Sequence, residues 1–425
     1  MPNCWPRAIV HIDGDCFFVA CEVAKNPKLK GQPVVVGADR GIACAMSYEA
    51  KALGVTRGMP VGWIRKICPN TIILPEDPTS YTLYSRRMYE IVRRYTPEVE
   101  EYSIDECFAD ITGMHRVLHK PYIEIAREIQ QTLKSELGLD FSVGLSVNKV
   151  LAKIASKKQK PNGFTVIDWP NISDHLQTTT IQSLWGIGSQ TARQMFKLGI
   201  KTAYDLASKP PAEIFKSFTK PHQEIWHELQ GKFIFLLNTK SQPNKSSISK
   251  TKTFGATSSD QHFVYSALSA NIEGACSKLR KSKLLTGKVS IFLKTQQFEY
   301  SHLDFVLPWP TTNPKDILDI CHQRFAEVFS KEKKYRATGV TLSDLKPINT
   351  ETLNLFGEAI RKENNKIIYR HVDLLDHRFG ANTIFLASSL SAIKYQKMKD
   401  KTSSLKNFLS NKKRHLGLLS LGRVN

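Results

Sequence analysis

Acidic side chains stand at the ends of two apolar, β-prone segments of this sequence. In HIDGD, Asp13 ends the segment 8–13, and in YSIDE, Asp105 and Glu106 lie beside a predicted turn. Carboxylates at one sheet edge repel one another unless cations neutralise them, and Mg²⁺ prefers oxygen ligands together with substrate phosphates. Two such ions about 3.5–4 Å apart promote in-line attack at phosphorus. Each acid alone is better explained as a cap or turn residue, so only their joint arrangement points to this chemistry.

The elements around these acids alternate between strands and helices. The apolar segment 8–13 is followed by a predicted helix over 17–25, the strand PVVVG and a short helix over 48–55. Residues 80–96 are predicted to form an amphipathic helix that Pro97 ends. The segment VEEYSIDECFADIT then predicts a hairpin, and its turn or bulge would let neighbouring acids reach one site. With a helix over 121–137 and the strand FSVGLSV, we expect one mixed sheet from 1–14 and 80–170.

The second half of the sequence divides into further segments. Residues 171–237 are predicted to be all-helical and contain a GIG turn, and the polar stretch 238–249 is typical of a linker. Residues 250–346 then follow the order βαββαβ. The extension 347–425 is harder to interpret, and its last part, 401–425, carries six basic residues and no acidic one, which indicates a basic tail. The fold class is therefore α+β with several domains.

Composition and charge restrict the class of protein further. The chain has 425 residues with a net charge of +21, and all of that excess lies in 151–425, since 1–150 carries 18 basic and 18 acidic residues. Such asymmetry favours a catalytic half followed by a half that binds a polyanion, although a basic surface that binds nothing remains an alternative. The absence of an 18-residue apolar run and of a secretory signal predicts a cytoplasmic protein without a membrane partner. Eight cysteines without a CxxC pair argue against a zinc ribbon or a disulfide framework.

Five motifs together resemble one protein family. They are HIDGDCFFVACE, SYEAKALGVTRGMP, YSIDECFADITG, VGLSVNKVLAKIASKKQKPNG and LWGIGSQTARQMFKLGIKT. Their order and spacing, from about residue 8 to 345, resemble the Y-family DNA polymerases, the DinB/UmuC group of translesion enzymes. The resemblance implies a right-hand polymerase with a mixed-sheet palm (1–14 and 80–170), small fingers (15–79), a helical thumb with a helix-hairpin-helix (171–237), a linker (238–249) and a βαββαβ little finger (250–346).

The resemblance also implies roles for single residues. The catalytic and metal-binding group is Asp13, Asp105 and Glu106, with the Gly14 carbonyl as a further ligand, and it would hold two Mg²⁺ ions. The nucleotide-binding group is Cys16, Phe17, Phe18, Tyr48, Lys51 and Lys160. Phe18 stands at the steric gate, where a ring under the sugar excludes a 2′ hydroxyl. Lys51 stands where many members have Arg, so the charge is kept but the bidentate geometry is lost.

Contacts with DNA and with other proteins are implied in the same way. The amides around Gly186 and Gly188 would bind phosphate oxygens, and four lysines on predicted strands would lie along DNA: Lys250, Lys252, Lys288 and Lys294. The segment ETLNLF, 351–356, resembles the sliding-clamp peptide of bacterial polymerases, with Leu353, Leu355 and Phe356 as its apolar anchors. Thr352 stands where this peptide customarily begins with Gln, so the segment departs from the family pattern at that position. An accessory subunit is left open.

These observations predict a low-fidelity DNA polymerase that copies past damaged bases on primer–template DNA with deoxynucleoside triphosphates. Two other functions fit parts of the sequence. A noncatalytic DNA-binding or scaffolding paralogue would have lost the carboxylates, yet all three stand here. A two-metal nuclease or nucleotide cyclase shares such acids, but neither requires a steric gate, a GIG turn or a basic βαββαβ unit.

Overall fold

The computed structural model describes residues 5–38, 41–239, 245–348 and 358–395. The described residues up to 239 form one compact unit, and those from 245 onward form a second. The candidate clamp residues Leu353, Leu355 and Phe356, together with the basic segment 401–425, lie outside the described residues. The predictions about them therefore stay predictions.

The first unit combines two sheets with many short helices. Its strands are β1 (Ile9–Gly14), β2 (Val34–Val36), β3 (Ala45–Met46), β4 (Ile72–Leu74), β5 (Val99–Ser103), β6 (Glu106–Asp110), β7 (Phe141–Ser146) and β8 (Phe164–Ile167). Its helices are α1 (Phe17–Lys25), α2 (Tyr48–Ala52), α3 (Val61–Ile67), α4 (Pro78–Val92), α5 (Met114–Val117), α6 (Tyr122–Leu137), α7 (Lys149–Lys158), α8 (Ile172–Gln177), α9 (Ser189–Lys197), α10 (Ala203–Ala207), α11 (Pro211–Ser217) and α12 (Lys220–Leu229).

The larger sheet of this unit carries the candidate site. Its strand order is β5-β6-β1-β7-β8, with β7 and β8 parallel and the other neighbours antiparallel. The mixed sheet predicted from the sequence is thus confirmed. Every residue of β1 is buried, because a central strand is covered on both faces. Val10 and Ile12 join the core formed with α4 and α6, whereas Ile9 packs with Phe108 and with Ala152 of α7. Odd-numbered residues of β1 therefore face α7.

The smaller sheet is short and packs against the α2–α3 region. Its strands run β3-β2-β4, with two or three residues each. Its core contains Val35, Ala50, Val55 and Ile64. This part of the chain lies within 15–79, the range that the sequence predicts to be the fingers.

The second unit has the predicted order βαββαβ. Its elements are β9 (Ile248–Ser258), α13 (Gln261–Lys281), β10 (Leu284–Thr295), β11 (Tyr300–Thr311), α14 (Pro314–Arg324), β12 (Tyr335–Pro347) and α15 (Glu358–Phe379). The strands form an antiparallel sheet in the order β11-β10-β12-β9. Val289, Ile291 and Leu293 on β10 are buried in one core with both α13 and α14. The residues between them therefore face the open side of the sheet.

Residues after β12 return to this second unit. Arg280 of α13 donates two hydrogen bonds to the Asp373 carboxylate of α15 at 2.7 and 2.8 Å, and its guanidinium lies 4.7 Å from the Tyr369 ring centre. Glu273 of α13 accepts a hydrogen bond from the Leu386 amide at 3.0 Å. The sequence did not predict this packing. In the described part of the chain, no helix has the length and apolar character needed to cross a bilayer.

Candidate active site

Strand pairing brings two of the predicted carboxylates together. Asp13, the last acid of β1, pairs directly with Glu106 at the start of β6. Asp13 is buried and Glu106 is partly buried. The apolar segment that forces β1 into the sheet centre therefore carries Asp13 to the sheet edge beside a second carboxylate.

Asp105 comes from the predicted hairpin turn between β5 and β6. The register of these strands shifts between Glu101 and Ser103. This is the kind of irregularity that the sequence analysis expects in this hairpin. The Asp105 carbonyl accepts a hydrogen bond from the Gly14 amide at 2.8 Å, so its backbone lies against the end of β1. The Ser103 hydroxyl donates to the Asp105 carboxylate.

Each carboxylate of the Asp13–Glu106 pair accepts a hydrogen bond from a lysine ammonium group. Lys160 donates to Asp13 and also lies 3.4 Å from Asp15, while Lys153 of α7 donates to Glu106. Burial raises the pKa of Asp13, Lys160 opposes that rise, and Glu106 adds to it, so the pKa stays raised. Burial also acts to raise the pKa of Glu106, but His11 and Lys153 lower it below its usual range. The pKa values of the two carboxyl groups are therefore shifted in opposite directions.

The donor chemistry of these residues fits divalent cations. Asp13, Glu106 and Asp105 offer only oxygen ligands, as Mg²⁺ prefers, and two of them already attract ammonium groups. In the described ranges, no three acidic, histidine or cysteine side chains lie close enough together to hold one ion. The structure thus brings Asp13 and Glu106 together as a pair, with Asp105 joined to them through its backbone.

The residues predicted to meet the triphosphate begin helix α1. Cys16 precedes the helix in a left-handed conformation with φ of 48°, and its turn leaves the first amides of α1 facing outward from the helix end. Phe17 is buried in the main core, whereas Phe18 is partly buried. The Phe18 ring stacks on Tyr81 of α4, with ring centres 4.5 Å apart and planes 11° apart. The candidate steric gate is therefore supported from behind by a second ring.

Tyr48 and Lys51 lie on α2, as predicted. The Ser47 side chain caps this helix by accepting a hydrogen bond from the Ala50 amide. The Tyr48 hydroxyl donates to Asp15 at 3.1 Å, and burial together with Asp15 raises the pKa of Tyr48. Lys51 is exposed, with its ammonium 5.9 Å from the Tyr48 ring centre.

The GIG turn precedes helix α9. Gly186 has φ of +85°, and a Cβ there would meet Ile225 at 2.7 Å, so this position requires glycine. Gly188 is the residue before the first turn of α9. The helix thus begins directly after the GIG turn, and the phosphate contact of its first amides stays a prediction.

The four lysines proposed to contact DNA lie on two different faces of the second unit. Lys288 and Lys294 alternate with the buried residues of β10 and face the open side of the sheet. Lys250 instead lies over α13, with its stem 3.4–3.7 Å from a Cβ built at Gly274. Lys252 shares the Lys250 side of β9, since the two are separated by one residue. The sequence does not show that these two pairs lie on opposite faces of the sheet. Which side chains of β9 face a helix depends on where α13 and α14 pack, and this is not visible in the pattern of a single strand.

Two residues of the site were not predicted from the sequence. Lys153 and Asp15 each contact predicted site residues, although the sequence pattern assigns no role to either. The spacing of Lys149 and Lys153 by one helical turn was a signal for a shared face. For Asp15, the only signal in the sequence was its position two residues after Asp13.

Comparisons with known proteins agree with this architecture. The impB/mucB/samB family model matches residues 12–157, and the model of its C-terminal domain matches 245–355. The chain is 32% identical to DNA polymerase IV of Desulfatibacillum aliphaticivorans, over 88% of this chain and 95% of the relative. It is also 32% identical to DNA polymerase IV of Staphylococcus aureus strain JH9, over 82% of this chain and 98% of the relative.

Solved structures show the same fold. A Y-family DNA polymerase chimera of Dbh and Dpo4 superposes with a TM-score of 0.66 at 24% identity, covering 80% of this chain and 99% of the other. An insertion ternary complex of Dbh DNA polymerase gives a TM-score of 0.50 at 25% identity with the same coverage. The chain therefore belongs to the impB/mucB/samB family, the Y-family DNA polymerases of the DinB/UmuC group.

Proposed function

We propose that this chain is a template-directed DNA polymerase of low fidelity that extends primers past damaged bases by two-metal nucleotidyl transfer. The observation that supports this most directly is the direct pairing of Asp13 with Glu106 at the sheet edge. The first turn of α1, the Tyr48 hydroxyl and the Lys160 ammonium lie around the same edge. This arrangement suits a triphosphate whose α-phosphate is attacked beside paired carboxylates.

The carboxylates of Asp13, Asp105 and Glu106, with the Gly14 carbonyl, are the groups that would hold divalent ions. When bound, such ions supply Lewis-acid charge at the α-phosphate and lower the pKa of the primer 3′ hydroxyl. Lys160 and Lys153 now neutralise Asp13 and Glu106. Since an ammonium and a divalent ion would compete for one carboxylate, Lys160 would be free to donate to a phosphate oxygen if Asp13 held a cation.

Helix amides and ammonium groups of this chain would bind the triphosphate, and Tyr48 would pack beside it. The amides of Cys16, Phe17 and Phe18 begin α1, where the helix dipole favours negative charge. Lys160 and Lys51 supply positive charge to phosphate oxygens as compact ammonium groups. The Tyr48 hydroxyl donates its one proton to Asp15, so Tyr48 would contribute through the position of its side chain and not as a phosphate donor. The amides and ammonium groups recognise phosphates without reading a base, as a template-directed enzyme requires.

The sugar of the incoming nucleotide would lie over Phe18. Tyr81 supports the Phe18 ring through a parallel stack, and Tyr81 is 1% exposed. A ring held in this way cannot yield to a 2′ hydroxyl without overpacking, which costs about 1–3 kcal/mol. Deoxynucleotides are therefore the preferred substrate class.

Low fidelity is supported by the size of the predicted fingers and by the names of the relatives. After α1, the helices of this region are only five and seven residues long. Few side chains are therefore available to test the shape of a new base pair. Relatives of this chain are named DNA polymerase IV, in keeping with a translesion role.

Primer–template DNA would be held by groups that contact phosphates. The amides beside Gly186 and Gly188 and the open-face lysines Lys288 and Lys294 are suited to phosphate contacts. None of these groups presents a base-specific pattern, so they hold DNA without reading sequence.

A primer-extension assay tests this function. On undamaged and abasic templates, the wild type is expected to add deoxynucleotides and to pass the lesion. Asp105→Ala is expected to reduce synthesis by about a thousandfold or more, because several kcal/mol of charge stabilisation are lost. Glu101→Ala on the same hairpin, whose side chain pairs with exposed Arg93, is the matched control.

Two outcomes would contradict the proposal. Undiminished synthesis by Asp105→Ala would overturn the site assignment. Hydrolysis of DNA incubated with Mg²⁺ but without nucleotides, together with no primer extension, would favour a two-metal nuclease instead.

A further inference from the structure

Asp15 is a buried carboxylate to which three separate elements donate hydrogen bonds. It follows β1 and is only 4% exposed. One of its oxygens accepts from the Tyr48 hydroxyl of α2 at 3.1 Å and lies 3.4 Å from the Lys160 ammonium. The other accepts from the Ser142 hydroxyl of β7 at 2.7 Å and from the Asn162 amide at 2.8 Å. Both oxygens are therefore fully used.

Two of these partners, Tyr48 and Lys160, belong to the groups that the proposed function places beside the triphosphate. Tyr48 comes from the region of the small sheet, and Lys160 and Asn162 come from the loop before β8. Ser142 extends the connection, because its hydroxyl also lies 3.4 Å from the Gly163 amide. Among the described residues, Asp15 is the one side chain that hydrogen-bonds both to Tyr48 and to the loop of Lys160 and Asn162. The relative position of these two groups thus depends on one side chain.

We propose that Asp15 is a positioning residue that fixes Tyr48 and the Lys160 loop in one arrangement for the incoming triphosphate. This inference rests on the proposed function and adds a residue that is neither a predicted metal ligand nor a predicted nucleotide contact. It follows that Asp15 governs nucleotide affinity more than the rate of the chemical step.

Asp15→Asn separates the charge and hydrogen-bonding role of this residue from its size. An asparagine offers one acceptor oxygen and one donor amide, so it cannot accept from Tyr48 and from the Asn162 amide in the same orientation. One of the two groups is released in either orientation, and a buried donor is left unsatisfied. We expect the KM for the incoming deoxynucleotide to rise about tenfold, with kcat reduced by less than about threefold.

A double-mutant cycle with Tyr48→Phe tests whether Asp15 acts through Tyr48. If it does, the double variant has nearly the same KM as Asp15→Asn, because the shared contact is lost only once. Fully additive rises in KM would overturn the inference. The matched control is Asp110→Asn, another carboxylate of the same sheet, which pairs with Arg7 at 3.0 Å and is expected to leave KM unchanged.

Ser142→Ala provides a second test if Asp15→Asn does not fold, which thermal unfolding would reveal. This variant keeps the Asp15 charge but removes one donor and the link to Gly163, so a rise of about threefold in KM is expected. Primer extension with an unchanged KM in both variants would overturn this inference and leave the proposed function intact. Absence of extension by the wild type would instead overturn the proposed function, and the inference with it.

Discussion

His11 lies beneath the carboxylate pair, between β1 and α7. Its side chain is fully buried, with Nδ1 2.7 Å from the Ser156 hydroxyl and Nε2 3.9 Å from the Glu106 carboxylate. Burial lowers the pKa of His11 to about 4, the positive charges of Lys153 and Lys160 act in the same direction, and Glu106 opposes them. His11 is therefore neutral in the folded protein at physiological pH.

The lowered pKa of His11 predicts a pH dependence of stability. In the unfolded chain His11 regains its ordinary pKa near 6.5, so between about pH 6.5 and 4 the unfolded state binds a proton that the folded state does not. The His11 contribution to the free energy of unfolding is complete above pH 6.5 and is lost as the pH falls through this window. His11→Asn should remove about 2 kcal/mol of the decrease between pH 7 and pH 5.

Urea unfolding at both pH values measures this difference. His175→Asn is the comparison, because His175 is partly exposed whereas His11 is fully buried. An equal decrease in stability for wild type and His11→Asn would show that other groups cause the pH dependence.

Among single site residues, the sequence predicted those whose position follows from the pattern of apolar and acidic residues along one segment. Asp13 lies near the end of one apolar strand and Glu106 at the start of another, and strand pairing then brings them together. Asp15 and Lys153 were missed because their partners lie far along the chain: Asp15 contacts Ser142, and Lys153 contacts Glu106. Such contacts depend on which helix face packs on the sheet, and periodicity alone does not determine this.

The packing of α4 on α1 supports the candidate sugar gate. Tyr81 of α4 stacks on Phe18, and its hydroxyl donates to the buried Glu22 of α1 at 2.9 Å. Glu22 in turn accepts a hydrogen bond from Lys25, which also donates to Asp77 at the start of α4. The Tyr81 ring is therefore held in place by contacts that join both helices.

Replacement of Tyr81 should weaken sugar selection without altering Phe18. In Tyr81→Leu the stack is lost, and since aromatic pairs contribute about 0.5–1.5 kcal/mol, discrimination against ribonucleotides should fall about two- to tenfold. Phe18→Ala should reduce discrimination further, by about 10- to 100-fold. Single-nucleotide insertion with paired deoxy- and ribonucleotides gives the ratio of kcat/KM for each variant.

Tyr81→Phe is the matched control, because it keeps the ring and loses only the hydrogen bond to Glu22. It should retain most of the wild-type discrimination. An equal loss of selectivity in Tyr81→Phe and Tyr81→Leu would attribute the effect to the hydroxyl rather than to the stack.

Elements were predicted well where local signals agree with packing. Helix α1 has the predicted bounds, and the hairpin of β5 and β6 lies where the sequence indicates. Helix α4 ends at Val92 instead of continuing towards Pro97, since the Arg94 and Tyr95 amides bond to carbonyls three residues earlier. This tight last turn satisfies the Ile91 and Val92 carbonyls through bonds from residues three positions later, and hydrophobic periodicity does not reveal it.

Charge is distributed unevenly over the whole molecule. Residues 1–150 are neutral overall, and the excess of +21 belongs to 151–425. The second unit contributes two open-face lysines, Lys288 and Lys294, on a sheet whose other face is covered by α13 and α14. A catalytic sheet with balanced charge and a basic second unit suit an enzyme that binds a polyanion with one part and performs chemistry with another.

The salt dependence of DNA binding tests whether the open face of this sheet contacts phosphates. Each lysine that neutralises a phosphate releases a counterion, so its loss lowers the slope of log K against log salt by about one. The double variant Lys288→Ala/Lys294→Ala should therefore lower the slope by about two for primer–template DNA of any sequence.

The control Lys281→Ala/Lys315→Ala removes the same charge from α13 and α14, where Lys315 already pairs with Asp319 at 2.8 Å. Because these helices cover the opposite face, the control should leave the slope nearly unchanged. Equal decreases in both double variants would mean that DNA responds to the net charge of the unit and not to this face.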